Sequence, residues 1–375
     1  MYICKNIIIN AMNPFTLCYS PKHFCDRKNE LLQLEENLDN GRNTLLHSPR
    51  RLGKSALIKH LFSKLEKQKT YETVFVDLFA TTSMESLIRV FAEKLLAKYH
   101  RKNFIRGVNN LLKGLSPNIS FSPDGTPSLG LSINETQVES TLSELFSYLE
   151  LRNKKVVVAF DEFQEIASYP EKAEALLRTH IQELTNVQFI FSGSSNHLLQ
   201  QMFFSAKRPF YQSVEVLVLD KIKNHVYADF IKRKFKMYHK KVSTDAVSLL
   251  LNFSDDYTYF TQAICNQAFS KTDSELTFEA VIKITKAYIE NRKADYQNLL
   301  RLLPENQKKV AIAIANEEIV NKPSAIEFII KNKLPSVSST SQALKALVNK
   351  EIVYQTSDGF IVYDVFFKRF LQTYY

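Results

Sequence analysis

The sequence predicts an α/β protein. A five-stranded parallel sheet should be followed by a helical region and a terminal unit of three helices and a hairpin. Between residues 43 and about 218, short apolar strands alternate with amphipathic stretches, the pattern of a parallel sheet covered on both faces. The strands are nearly continuous in apolar residues, as sheets buried on both sides require. From 222 to about 300, apolar residues recur at helical spacing.

Each element can be justified in order. NTLLH (43–47) precedes the helical KSALIKHLFSKLEK, and ETVFVDLF (72–79) precedes SMESLIRVFAEKLLAKYH. KVVVAF (155–160) precedes a helix near 171–184, VQFIFS (187–192) precedes one near 195–204, and SVEVLVL (213–219) supplies the fifth strand. Residues 114–135 break the alternation. They are rich in Pro, Gly, Ser and Asn and predict an inserted hairpin around Asp124-Gly125. AVSLLLNF, YFTQAICNQAF and FEAVIKITKAYI carry the helical region. After Pro304 come ENQKKVAIAIANEE, SAIEFIIKNK and STSQALKALVNKE, then EIVYQTS and FIVYD joined at Asp358-Gly359. Three helices and a hairpin outline a winged helix-turn-helix. The expected division is therefore 1–220, 221–303 and 304–375.

Bulk properties narrow the classes. The 375 residues are 45% hydrophobic, enough for two or three domains with real cores. No apolar run approaches the roughly 18 residues a membrane helix needs, so no membrane partner is expected. KNIIINAM at the N-terminus is too short for a signal peptide and lacks a small-residue cleavage site. Cys4, Cys18, Cys25 and Cys265 show neither metal-type nor disulfide spacing, which makes a reducing cytoplasm the simplest setting. The formal charge of +10 suits an acidic partner, and residues 221–241 are the densest basic stretch, although a solvated helix face accounts for them equally well.

Three segments carry chemistry. SPRRLGKS (48–55) fits a phosphate-binding loop, G-x-x-x-x-G-K-[ST], except that Ser48 replaces the first glycine. A strand precedes it and an amphipathic helix follows, so the loop Pro49-Arg50-Arg51-Leu52-Gly53 would wrap an anion, with the backbone N–H groups after Pro49 and that of Ala56 on the helix facing it. Gly53 permits close approach, Lys54 would neutralise the β- and γ-phosphates, and Ser55 would ligate Mg²⁺. Ser48 lies where the loop leaves the strand, and its side chain is expected to point away. VVVAFDEFQEI (156–166) is an apolar strand ending in two acids. Asp161 would hold Mg²⁺ and Glu162 would orient and deprotonate an attacking water. FIFSGSSNHLL (189–199) ends a strand in hydroxyls. Ser194 or Ser195 would sense a γ-phosphate or simply cap the next helix. In KRPFY (207–211), Arg208 is either an arginine finger acting in trans or an ordinary surface arginine. The fold class that follows is a P-loop NTPase.

Taken together, these residues resemble the archaeal-type P-loop ATPases, allied to the AAA+ and STAND groups. NPFTLCYSPKHFCDRKNELLQL, within a lead-in segment over 12–34, is similar to the family's box before the first strand. The resemblance implies that Phe24, Asp26 and Arg27 lie near the adenine. SPRRLGKSAL, FDEFQEI, FSGSSNHLL and KRPFY resemble later elements in the same order. The family often continues with Gly-Arg where this chain has Gln212-Ser213, and its lid turn carries glycine and proline where this chain reads DDYTYF (255–260). The resemblance implies an AAA-like core, a helical lid, a winged helix, and ATP with Mg²⁺ as ligands.

The leading expectation is a cytoplasmic ATPase whose nucleotide switches lid and winged helix. The alternative is a nucleotide-gated DNA-binding regulator or adaptor with negligible hydrolysis. Residues 305–375 hold nine Lys/Arg against seven Asp/Glu, and SVSSTSQALKALVNKE has two lysines and no arginine, a weak phosphate or base reader. A protein partner therefore stands beside DNA for the winged helix. Self-assembly into a homo-oligomer, with Arg208 acting across the interface, is a third expectation.

Overall fold

The computed structural model describes residues 13–99, 137–170, 172–194, 196–356 and 358–375, with backbone only for 115–121, 127–133, 196 and 197. These form two compact units, one of residues 19–221 and one joining 13–18 to 222–375.

The first unit contains β1 (Thr44–His47), β2 (Glu72–Asp77), β5 (Val156–Asp161), β6 (Val187–Ser192) and β7 (Glu215–Val218), in the order β2-β5-β6-β1-β7. Every pairing in this sheet is parallel. The expected five-stranded sheet is therefore present. Its strand order reverses direction around β1, and in such sheets ligands bind beyond the carboxyl ends at that switch. The inserted segment forms the antiparallel hairpin of β3 (Leu115–Phe121) and β4 (Pro127–Ile133). Its Asp124-Gly125 tip lies outside the described residues.

Among the described residues six α-helices accompany the sheet: α1 (Lys28–Asp39), α2 (Lys54–Gln68), α3 (Met84–Lys98), α4 (Val138–Glu150), α5 (Ala173–Ile181) and α6 (Asn196–Phe204). Alternation decides the core. Val156, Val158, Phe160, Val187, Phe189 and Phe191 share one sheet face with Phe91 of α3 and Phe146 of α4. Phe160, Phe189 and Phe191 stack with centroids 5.9–6.4 Å apart, and Phe163 lies 4.5 Å from Phe191. On α2, Lys59 sits 4.9 Å over the Phe75 ring of β2. α3 starts at a capping box in which Ser83 and Ser86 satisfy one another's backbone N–H groups.

The second unit begins with α7 (Asn224–Met237), β8 (Lys241–Val242), α8 (Thr244–Phe253), α9 (Thr258–Ser270), β9 (Glu275–Leu276) and α10 (Phe278–Glu290). Asn13 and Phe15 pack on this unit. Asn13 donates to the Asn266 carbonyl at 2.9 Å, and the Phe15 ring meets Phe230, Phe235 and Phe269. There follow α11 (Lys293–Arg301), α12 (Glu305–Glu317), α13 (Ile326–Lys331), α14 (Val337–Asn349), the antiparallel wing of β10 (Val353–Thr356) and β11 (Gly359–Val362), and α15 (Val365–Tyr374). This is the expected winged helix. Gly359 has φ 138°, and a Cβ there would stand 2.7 Å from the Val320 carbonyl oxygen, so the wing's return strand needs glycine. Among the described residues no helix is long and apolar enough to cross a membrane.

Phe91 is fully buried between the Phe146 and Phe160 rings, 5.7 Å from each. Phe91→Ala is expected to destabilise the first unit by about 3–5 kcal/mol. Leu198→Ala, on an exposed side chain, should stay within about 0.5 kcal/mol of wild type. Urea unfolding of both variants checks the pair.

Candidate functional site

Residues 48–53 link β1 to α2. Arg51 (φ 68°) and Gly53 (φ 96°) take left-handed conformations, which curl the chain into the N-terminus of α2. There the first-turn N–H groups of Lys54, Ser55 and Ala56 lack helical acceptors and suit an anion. Lys54 folds back onto this loop. Its ammonium donates to the Ser48 carbonyl (2.9 Å), the Pro49 carbonyl (3.0 Å) and Ser48 Oγ (3.2 Å), which matches its three N–H donors. The Ser48 side chain is fully buried and donates to the Pro49 carbonyl at 2.9 Å. The expectation that it would point away is overturned: its hydroxyl is needed as an acceptor for a desolvated cation.

Burial lowers the Lys54 pKa to about 8, against the pull of Glu162 and Asp161. Burial, and then the Lys54 charge, hold His47 below its ordinary value.

The acids at the end of β5 meet the loop. Ser55 Oγ donates to Asp161 Oδ2 at 2.5 Å, and Ser192 Oγ donates to Asp161 Oδ1 at 2.6 Å. Glu162 is left-handed (φ 56°), and its Oε2 accepts from Ser194 N–H (3.1 Å), Ser194 Oγ (2.6 Å) and Gln164 Nε2 (2.7 Å). Ser195 lies outside the described residues. Gln164 is buried against Gly193, where a Cβ would fall 2.0 Å from Gln164 Oε1. The structure thus brings Ser48, Lys54, Ser55, Asp161, Glu162 and Ser194 together, and it adds Ser192 and Gln164. Ser192 was visible as one of the strand-end hydroxyls. Nothing in the sequence marked Gln164, whose role depends on the 3₁₀ turn at Phe163–Ser168.

The lead-in residues contact the loop and the helix that follows it. Arg27 is buried, paired with Glu30 at 2.8 Å and donating to the Leu52 carbonyl at 3.4 Å, so it braces the loop from the start of α1. Phe24 lies flat on His60 of α2, centroids 4.0 Å apart, and Asp26 is exposed. Tyr19 meets both rings edge-on, with its hydroxyl 3.1 Å from His60 Nδ1. Arg50 and Arg51 are half-buried. Arg208 forms an ion pair with Glu174 of α5, whose carboxyl is raised by burial.

A family described as an ATPase domain predominantly from Archaea matches residues 24–249, well over half of the chain. The chain belongs to this archaeal-type ATPase family. Residues 294–373 of this family member match a probable winged helix domain. Its structure resembles a Walker-type ATPase of Pyrococcus abyssi at 19% identity, with TM-score 0.65 over 96% of this chain and 99% of that one. It also resembles the ORC2 protein of Aeropyrum pernix (15%, TM-score 0.60, 96% and 98%) and Cdc6p of Pyrobaculum aerophilum (16%, TM-score 0.51, 96% and 97%). A comparison with curated proteins finds no match.

Lys54 makes a specific prediction about stability. Its folded-state pKa of about 8 lies below the ordinary 10.5, so the unfolded chain holds a proton there that the folded chain releases. The penalty is fully present below about pH 8 and disappears as pH rises toward 10.5, which stabilises the fold across that window. Lys54→Met should remove this increment. Urea midpoints at pH 7.5 and 9.5 should rise less in the variant than in wild type.

Proposed function

We propose that this ATPase-family protein binds Mg²⁺-ATP at the 48–56 loop and hydrolyses it slowly, using nucleotide to switch its helical lid (221–303) and winged helix (304–375) on the core (1–220). The observation that carries the reading is the Ser55–Asp161 hydrogen bond, which joins the loop to the strand acids. Two hard oxygens on separate elements suit Mg²⁺, which is commonly held by one or two side chains together with phosphate and water. A bound Mg²⁺ would neutralise charge on the phosphates.

The chain's own groups account for the rest. Lys54 exchanges its loop carbonyls for phosphate oxygens, and the loop N–H groups hold the remaining charge. Glu162 takes a proton from the attacking water. To do so it must release at least one of the three donors that occupy Oε2, and this supports slow, conditional turnover. Ser194 and Gln164 therefore position Glu162. Phe24 supports a base-binding edge through its stack on His60. Arg208 reaches another subunit only by leaving Glu174. The Aeropyrum pernix protein is described in ADPNP-ADP complexes, consistent with an adenine nucleotide here.

A second reading, a nucleotide-gated regulator with negligible hydrolysis, draws support from the winged helix. Ile326 and Ile330 of α13 and Val337 of α14 are exposed. α14 itself carries one lysine, Lys345, along Val337–Asn349, so a protein partner fits this face better than DNA. Such a regulator acts in the cytoplasm.

Titration with a fluorescent ATP analogue and Mg²⁺, together with phosphate release, tests both readings. Lys54→Ala should lose most nucleotide affinity, roughly 10-fold or more for a charge-assisted contact set worth about 1.4 kcal/mol or above. Glu162→Gln should bind ATP as wild type does and release no phosphate. Affinity unchanged in Lys54→Ala would refute the site. Binding without any wild-type phosphate release would favour the regulator.

A further inference from the structure

The turn between α8 and α9 is unusual in its backbone. Asp255 (φ 49°) and Asp256 (φ 58°) are successive non-glycine residues in the left-handed region, a conformation that persists only when its surroundings impose it. For Asp255 the imposing groups come from the far end of the chain. Lys368 and Arg369 are adjacent on α15. Lys368 donates to Asp255 Oδ2, and Arg369 donates to Asp255 Oδ1 at 2.6 Å, so both carboxylate oxygens are taken. The Arg369 guanidinium also donates to the Asn252 and Phe253 carbonyls that close α8. Lys368 is buried, although its stem ends in a charge. A buried cation that loses this carboxylate is left uncompensated, so the contact resists opening.

The same helix grips the winged helix. Gln372 Nε2 donates to the Ala315 carbonyl of α12 at 2.7 Å, and Arg369 lies 3.6 Å from Glu318 just beyond α12. Apolar contacts repeat the pattern. The Phe366 ring meets Phe253 of α8 (5.7 Å), Phe260 of α9 (4.8 Å) and Tyr288 of α10 (4.6 Å), while Phe367 and Phe370 flank Tyr296 of α11, which falls inside the 294–373 winged-helix match. One face of α15 is therefore lid core, and another is winged-helix core.

We infer that α15 welds the lid and the winged helix into a single rigid body, with Asp255 as the fastening point between them. The two then travel together, and no hinge operates between residues 253 and 365. The inference does not require the proposed nucleotide chemistry. It does sharpen that proposal by fixing which parts can move separately.

Spin-label distances test it in the full chain. Cysteines introduced at the exposed Ser248 of α8 and Lys345 of α14, with Cys4 and Cys18 replaced by serine, report the lid-to-winged-helix spacing. The expected result is one narrow distribution, unchanged by a non-hydrolysable ATP analogue with Mg²⁺. Asp255→Asn and Arg369→Gln should broaden it while far-UV circular dichroism stays unchanged. A broad distribution in the unvaried chain without nucleotide would overturn the weld, as would a spacing that shifts with the analogue. Narrow distributions in both folded variants would overturn the role of Asp255. If a variant fails to fold, the unvaried chain still decides. Failure of nucleotide binding would show separately in the titration and leave the nucleotide-free width intact.

Discussion

The Asp161 carboxylate is the constraint around which the first unit is arranged. One oxygen takes the Ser55 hydroxyl and the other takes the Ser192 hydroxyl. A single side chain thus pins the helix after the loop, the strand that carries it, and the neighbouring strand. The pin can be short and buried because the Phe160, Phe189 and Phe191 stack fixes β5 and β6 in register beneath it. The chemistry sits where the apolar strands stop being apolar.

The second unit follows the same logic with the opposite geometry. Its residues come from distant parts of the chain, and acid and base meet across that separation. Asn13 and Phe15 seat on helices some 250 positions later, and α15 reaches back to the α8–α9 turn. The helices between them are held at both ends of the sequence. Local helix formation alone would leave such short helices marginal.

Much of this was legible in sequence for a physical reason. Parallel strands buried on both faces leave long apolar signatures, and the loop and acid pair sit at fixed offsets from them. Strands at 44–47, 72–77, 187–192 and 215–218 fall within the expected segments, and the one at 156–161 runs a single residue beyond its own. What was not legible depends on tertiary approach. Ser48 looked like a substitution and is an acceptor for Lys54. Gly193 looked like part of a hydroxyl-rich turn and makes room for Gln164. The Leu52 carbonyl that Arg27 braces and the Glu174 that pairs with Arg208 lie 25 and 34 residues away, beyond the reach of any local pattern. The glycine-less DDYTYF turn read as a departure, yet its two aspartates take up glycine-like dihedrals, Asp255 held by cations from α15 and Asp256 accepting from Asn224 of α7.

The arrangement of Lys54 has a consequence for selectivity. Its ammonium is already saturated by three oxygens of the loop that carries it. An incoming anion therefore competes with an intramolecular set of acceptors at very high effective concentration. A small monoanion offers too few oxygens to win that exchange, whereas a polyphosphate supplies several at once from a single tethered ligand. The serine at position 48 contributes one of the three oxygens. If the loop binds nucleotide as proposed, that oxygen would act as a threshold favouring a multidentate anion over small ones.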